Sequence, residues 1–196
     1  MGFHVSTLHN LPVGSIQYFI HVVDMSGGEH GRWINENLHA LAASLGRDAG
    51  LVTGPRNLSY ELHQFLSRNL SSGFGAVEGL LHSATCLLIS EGHLAHTQKP
   101  VHLIPIATPQ VSESAHELIA TLIGMIANAL RTGQLQDLVI SLGAHEFQLS
   151  SAGGGFVVCT LRRLNKVLEL KPNVAGLGLN LNGTIEALLP PEARPI

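Results

Sequence analysis

Residues 16–32 read IQYFIHVVDMSGGEHGR, and the reading of this stretch decides the fold. Positions 16–23 are almost continuously β-branched, aromatic or aliphatic, and turn-forming residues bound them on both sides (PVG before, DMSGG after). A short apolar run punctuated in this way predicts a strand buried on both faces. Beyond the glycines, Ile34, Leu38, Leu41 and Leu45 recur at helical spacing, and Gly46 stands where a helix would stop. Strand, glycine turn and helix in that order form the opening unit of an α/β domain.

The same alternation continues outward. Residues 50–53 predict a short second strand, after which Asn57 can cap a helix burying Leu58, Leu62, Phe65, Leu66 and Leu70. A loop at 71–75 and a short helix over 76–82 lead to apolar runs at 85–89 and 101–106, both read as strands. Pro105 places the last of these near an edge or ends it early. Residues 113–131 carry the clearest helical stripe (Ala115, Leu118, Ile119, Leu122, Ile123, Ile126, Leu130), with Ser114 and Glu117 as a capping box. Leu135, Leu138, Val139 and Leu142 continue at helical spacing, and 147–149 suit a strand. Residues 156–170 fit a helix or, over FVVCTL, a strand; Asn182 can cap a last helix running to Leu189. The expectation is one α/β domain over residues 1–189, built on a mainly parallel sheet with helices packed on it, and a flexible C-terminal tail over 190–196.

Composition narrows the function classes. The chain has 196 residues, of which 13% are charged and 45% hydrophobic, against about 25% charged in an average soluble domain. Eleven Lys and Arg against fourteen Asp and Glu, with no basic block, argue against a nucleic-acid or anionic-membrane binder. No segment reads as a signal peptide or a membrane span, so the protein is expected in the cytoplasm. Cys86 and Cys159 both lie in apolar runs, which predicts buried thiols in a reducing compartment rather than a disulfide framework.

Three features carry candidate chemistry. The loop over residues 24–32 should leave the first long strand at its carboxyl end, where open α/β sheets bind ligands. There Asp24, Ser26, Gly27, Gly28, His30 and Arg32 form the candidate ligand site. Glycine amides and a helix amino terminus suit a small anion; alternatively Asp24, Ser26 and His30 suit a hard cation, or Asp24 orients His30 as a base. The plainer reading is that Asp24 and Ser26 cap the helix while the glycines turn the chain. The second feature is the excess of histidine, 12 in all, with Glu91, His93 and His96 spaced as metal ligands just past a predicted strand. The cofactor this group suits is a divalent metal ion, although His-x-x-His without a defined third ligand is a weak pattern. Glycine loops at 150–155 and 172–180 form the third, and neither contains a phosphate-loop or dinucleotide fingerprint.

The fragment FIHVVDMSGG partly resembles the start of von Willebrand factor A-type domains, in which an apolar strand ends in Asp-x-Ser-x-Ser and binds a divalent cation. Residues 87–92, LLISEG, loosely resemble that family's later strand end, Thr-Asp-Gly. Gly28 stands where the family has its second serine and Glu91 where it has aspartate. The resemblance implies a degenerate adhesion-type domain with a weak or absent metal site.

With no complete catalytic signature, the leading expectation is a non-catalytic ligand- or partner-binding module, a regulatory, sensor or assembly domain. It would recognise a small anionic ligand or a protein partner, and would self-associate. The alternatives are a metal-assisted hydrolase using Asp24 with His30, or Glu91 with His93 and His96, and a pure scaffold or oligomerisation domain.

Overall fold

A computed structural model describes residues 1–147 apart from 13, 15, 71–73, 98 and 107–112. The readings made for Cys159, the glycine loops at 150–155 and 172–180, residues 156–170, the helix capped by Asn182 and the tail at 190–196 lie outside the described residues. In chain order the elements are β1 (Gly2–His4), a single 3-10 turn (Leu8–Asn10), β2 (Tyr18–Val23), α1 (Glu29–Glu36), α2 (Leu38–Ala43), β3 (Ala49–Thr53), α3 (Arg56–Asn69), α4 (Phe74–Ser83), β4 (Thr85–Glu91), β5 (Val101–Ile106), α5 (Glu113–Thr132), α6 (Leu135–Ser141) and β6 (His145–Phe147).

The six strands form one sheet in the order β1-β3-β2-β4-β5-β6. β3 is parallel to β1 and to β2, whereas β2–β4, β4–β5 and β5–β6 pair antiparallel. The class is α/β, but the expected mainly parallel arrangement is corrected to a mixed sheet whose antiparallel pairs are in the majority. The connections explain the difference. Between β2 and β3, α1 and α2 act as one crossover leg, since α2 follows α1 after only Asn37 and the Leu41 amide donates to the Asn37 carbonyl. One helical leg returns the chain to where the first strand began, which makes the next strand parallel. Between β3 and β4 there are two helices, α3 and α4, and between β5 and β6 two more, α5 and α6. Two legs bring the chain back to the end it left, so the following strand runs the other way. β4 and β5 are joined by a short connection over 92–100, which permits only antiparallel pairing.

Side chains alternate across the sheet and build a core on each face. On one face Ile20, Val22, Leu51, Leu87, Ile89, Ile104 and Ile106 pack with α1, α2, α5 and α6 through Ile34, Leu41, Ile119, Ile123 and Val139. On the other, Phe19, Val23, Val52, Cys86, Leu88 and Leu103 pack with α3 and α4 through Leu58, Leu62, Leu66, Val77 and Leu81. This double coverage accounts for the continuous apolar strands. The expected Pro105 position also has its reason: β6 pairs with β5 only as far as Leu103, so Pro105 faces β4 alone among the described residues.

β1 went unpredicted because three residues carry no periodicity. It is held from outside: the Met1 ammonium donates to the Ala49 carbonyl at 2.7 Å, and Phe3 lies over Gly50. The predicted helix over 31–45 is broken at Asn37, whose side-chain amide donates to the Trp33 carbonyl at 2.9 Å and competes with the helix ladder.

His21, in the middle of β2, is fully buried, and among the described residues neither ring nitrogen has a hydrogen-bond partner. Burial, and then the nearby His93, lower its pKa to about 3. The folded state therefore holds this imidazole neutral, while the unfolded chain takes up a proton below about 6.5. Stability from this residue is complete above that value and is lost as the pH falls toward 3. His102, also lowered by burial against the opposing pull of Glu146, acts in the same direction. We expect urea denaturation to show stability falling by somewhat over ~1 kcal/mol per pH unit between pH 6 and 4. We expect His21→Leu to raise stability at pH 7 by about 1 kcal/mol and to flatten that slope. A variant with an unchanged slope would contradict the assignment.

Candidate functional site

Because β2 and β3 are parallel neighbours, their carboxyl ends open on the same side of the sheet. Each strand passes directly into a glycine-containing turn and then a helix: β2 into Gly27, Gly28 and α1, β3 into Gly54, Pro55 and α3. Between the two turns lies a cleft of about 170 Å³ lined by Val22, Asp24, Gly27, Gly28, Gly31, Arg32, Asn35, Thr53, Gly54, Arg56 and Ser59. That volume is below the roughly 300–1,000 Å³ of pockets for drug-sized ligands and suits a small ion or the head of a small molecule.

The backbone shapes this cleft. Gly27 has φ 69°, a left-handed conformation that turns the chain off the strand. Gly28 and Pro55 are the N-cap residues of α1 and α3, and neither provides a side-chain capping hydrogen bond. Both helices therefore open on the cleft with first-turn amides not capped from the N-cap position, and each carries the positive end of its dipole there.

The side chains are held from both strands. The Asp24 amide donates to Ser59 Oγ at 3.0 Å, tying the end of β2 to the first turn of α3. Ser26 Oγ donates to Asp24 Oδ1 at 2.9 Å. The Asp24 carboxylate lies over Gly31, so closely that a Cβ there would stand 2.2 Å from Oδ2. Arg56 donates from Nε to the Met25 carbonyl at 3.1 Å, and its guanidinium sits 5.6 Å above the Tyr60 ring. Arg32 is exposed and makes no ion pair among the described residues. At the far rim, Asn35 Oδ1 accepts from Thr53 Oγ1 at 2.9 Å and lies 2.9 Å from His4 Nδ1, which fixes α1 to β3 and β1. With two guanidinium groups against one carboxylate, the lining has a net positive charge.

Four of the predicted ligand-site residues, Asp24, Gly27, Gly28 and Arg32, line this cleft. Ser26 is not in the lining but donates to Asp24. His30 points elsewhere: it is buried toward α5, with its ring centroid 6.5 Å from that of His116. The lining residues outside the predicted set are Val22, Gly31 and Asn35, close to the first strand and its helix, and Thr53, Gly54, Arg56 and Ser59, at and after the end of β3. The available signal was the turn after the second predicted strand, GPR at 54–56, which repeats the strand–glycine–helix order of the first.

The histidine cluster lies at the other end of the sheet. Tyr18 pairs with Glu91 and Val23 with Cys86, so Glu91 is level with the start of β2 and Asp24 with its finish. Glu91 is paired with Lys99. His93 Nδ1 accepts from the Ala95 amide at 3.2 Å, and Nε2 lies 3.1 Å from the Leu8 carbonyl. These bonds require the Nε2-protonated tautomer and occupy the lone pair a metal would use. Asp24 and Glu91, which the resemblance to von Willebrand factor A-type domains would bring to one cation, are therefore far apart. The chain matches no protein-family model, no curated protein and no solved structure.

We expect Gly31→Ala to displace the Asp24 carboxylate, since the added methyl would also stand 2.8 Å from Asp24 Cγ. The cost should be about 1–3 kcal/mol in urea denaturation. A variant as stable as the parent would contradict the close approach.

Proposed function

We propose that the protein is a non-catalytic α/β module that binds a small ligand with an anionic group, a phosphate or carboxylate, in the cleft at the ends of β2 and β3. The observation that carries this reading is the convergence of two helix amino termini, α1 and α3, with Arg32 and Arg56 on one small cleft. Backbone amides and guanidinium groups both recognise tetrahedral or planar anions, Arg in a bidentate manner. The carbonyl of Met25 and the ring of Tyr60 hold Arg56 in place before any ligand arrives, which limits the entropy lost on binding. Asp24 supplies an acceptor beside this positive surface, suited to a ligand hydroxyl group near the anion.

The module is read as a regulatory, sensor or assembly domain of the cytoplasm that also engages a second copy or a protein partner. Cys86 supports the reducing compartment: it is a free, buried thiol whose pKa burial, then Asp24, push up to about 12, so it is kept from reacting. The hydrolase alternative has less support. His93 commits both ring nitrogens to hydrogen bonds, and His30 does not line the cleft beside Asp24. A pure scaffold would not require a preset guanidinium at a helix amino terminus.

The test is thermal unfolding with inorganic phosphate or glycerol phosphate, against sodium chloride of equal ionic strength. We expect phosphate to raise Tm by the mass-action term that grows with the ratio of ligand to Kd. Replacing Arg32 and Arg56 together by Ala should abolish the rise, and Lys99→Ala should leave it intact. No rise over chloride, or the same rise in the double variant, would overturn the reading.

A further inference from the structure

A second cluster stands outside the cleft, on the outer side of the sheet's α3–α4 layer. Glu78 and His82 are four residues apart on α4 and so leave the same face of that helix. His63, on the neighbouring α3, faces them: its ring centroid is 5.4 Å from that of His82, and its Nε2 is 3.8 Å from Glu78 Oε1. The donor atoms of these three side chains, one from each, all lie within 4.8 Å of one another, and this is the one such His/Cys/Asp/Glu group among the described residues. His63 is held between the helices, with Phe74 edge-on at 5.0 Å, while Glu78 and His82 are exposed and able to adjust.

His63 Nε2 is a buried nitrogen with no hydrogen-bond partner among the described residues. The Glu78 carboxylate is too distant to provide one, because 3.8 Å is beyond hydrogen-bond range. An unsatisfied buried nitrogen is costly unless something supplies a partner.

We propose that His63, Glu78 and His82 form a zinc site that clamps α3 to α4. Two imidazoles and one carboxylate match the borderline-soft zinc ion, whereas magnesium and calcium require mainly oxygen donors. Ligand bonds of about 2.0–2.2 Å in tetrahedral geometry put donors about 3.3 Å apart, so closure requires side-chain shifts on the order of 1 Å. The exposed Glu78 and His82 can make such shifts without moving a helix. Three protein ligands leave the fourth position to water. The ion would supply the partner that His63 Nε2 lacks and would fix the helix that carries Arg56 and Ser59 at its start. The site shares no ligand with the cleft and does not depend on what the cleft binds.

The experiment is calorimetric titration of the chelator-stripped full chain with zinc chloride, combined with thermal unfolding. The expected result is one tight equivalent per chain and a rise in Tm on zinc addition. His82→Ala and Glu78→Gln, both at exposed positions, should keep the far-UV circular dichroism of the parent. Each should weaken the tight site by more than about a hundredfold, the upper range for loss of a mere supporting group. His96→Ala should bind as the parent does. Absence of a tight site in the parent would overturn the proposal, as would parent-like zinc binding in the His82→Ala and Glu78→Gln proteins.

Discussion

The structure depends on the parallel pairing of β2 with β3, in the register that sets Ile20 opposite Leu51 and His21 opposite Val52. Parallel neighbours must finish on the same side of a sheet, and the chain must leave both toward the helices that follow. Here those exits are two glycine turns, and both lead within a few residues to helix amino termini. The two helix amino termini with no side-chain cap at Gly28 or Pro55, the Asp24 amide bonded to Ser59 and the guanidinium of Arg56 bonded back to Met25 all follow from that adjacency. An antiparallel β2–β3 pair would separate these groups by the length of a strand.

The rest of the sheet supports this pair without sharing its geometry. β4 pairs antiparallel with β2 over six residues, and every residue of β4 but the last is buried. The two cores are therefore continuous across a change of strand direction, and the sheet beneath the cleft is packed with apolar side chains on both faces. His21 is the exception at the centre, kept neutral by burial in a row otherwise made of Phe19, Val23 and Leu88. Its presence links the stability of the central strand to pH, although the residue lies away from the cleft.

Much of this was legible in the sequence, and the unreadable parts have physical causes. Apolar runs at 85–89 and 101–106 announced buried strands, and the stripe from Ala115 to Ile126 announced α5. Strand direction was hidden because a run covered on both faces looks the same in either orientation, and the usual link between continuous apolar strands and parallel sheets fails here. What reverses β4 is the presence of two helices instead of one between it and β3, and the sequence does not state the angle at which α4 follows α3. Asp24, Gly27, Gly28 and Arg32 could be read from one strand–turn–helix unit. Thr53, Gly54, Arg56 and Ser59 belong to a second unit, whose relevance appears only once the register of β3 is known. His63 and His82 were visible only as members of a large histidine population, since their meeting depends on how α3 packs on α4. Conversely, Glu91, His93 and His96 had ligand-like spacing, but the ring of His93 is used to tie the 92–100 connection to Leu8.

The central claim is that the paired strand exits form a preset receptor for an anion. Nitrogen-15 NMR of the backbone amides during titration with inorganic phosphate tests it most directly. The account predicts saturable shifts concentrated at the amides of Gly27, Gly28, Glu29, Gly54 and Arg56, with β4, β5 and α5 unmoved. Shifts that are absent, that never saturate, or that centre on another part of the surface would contradict it.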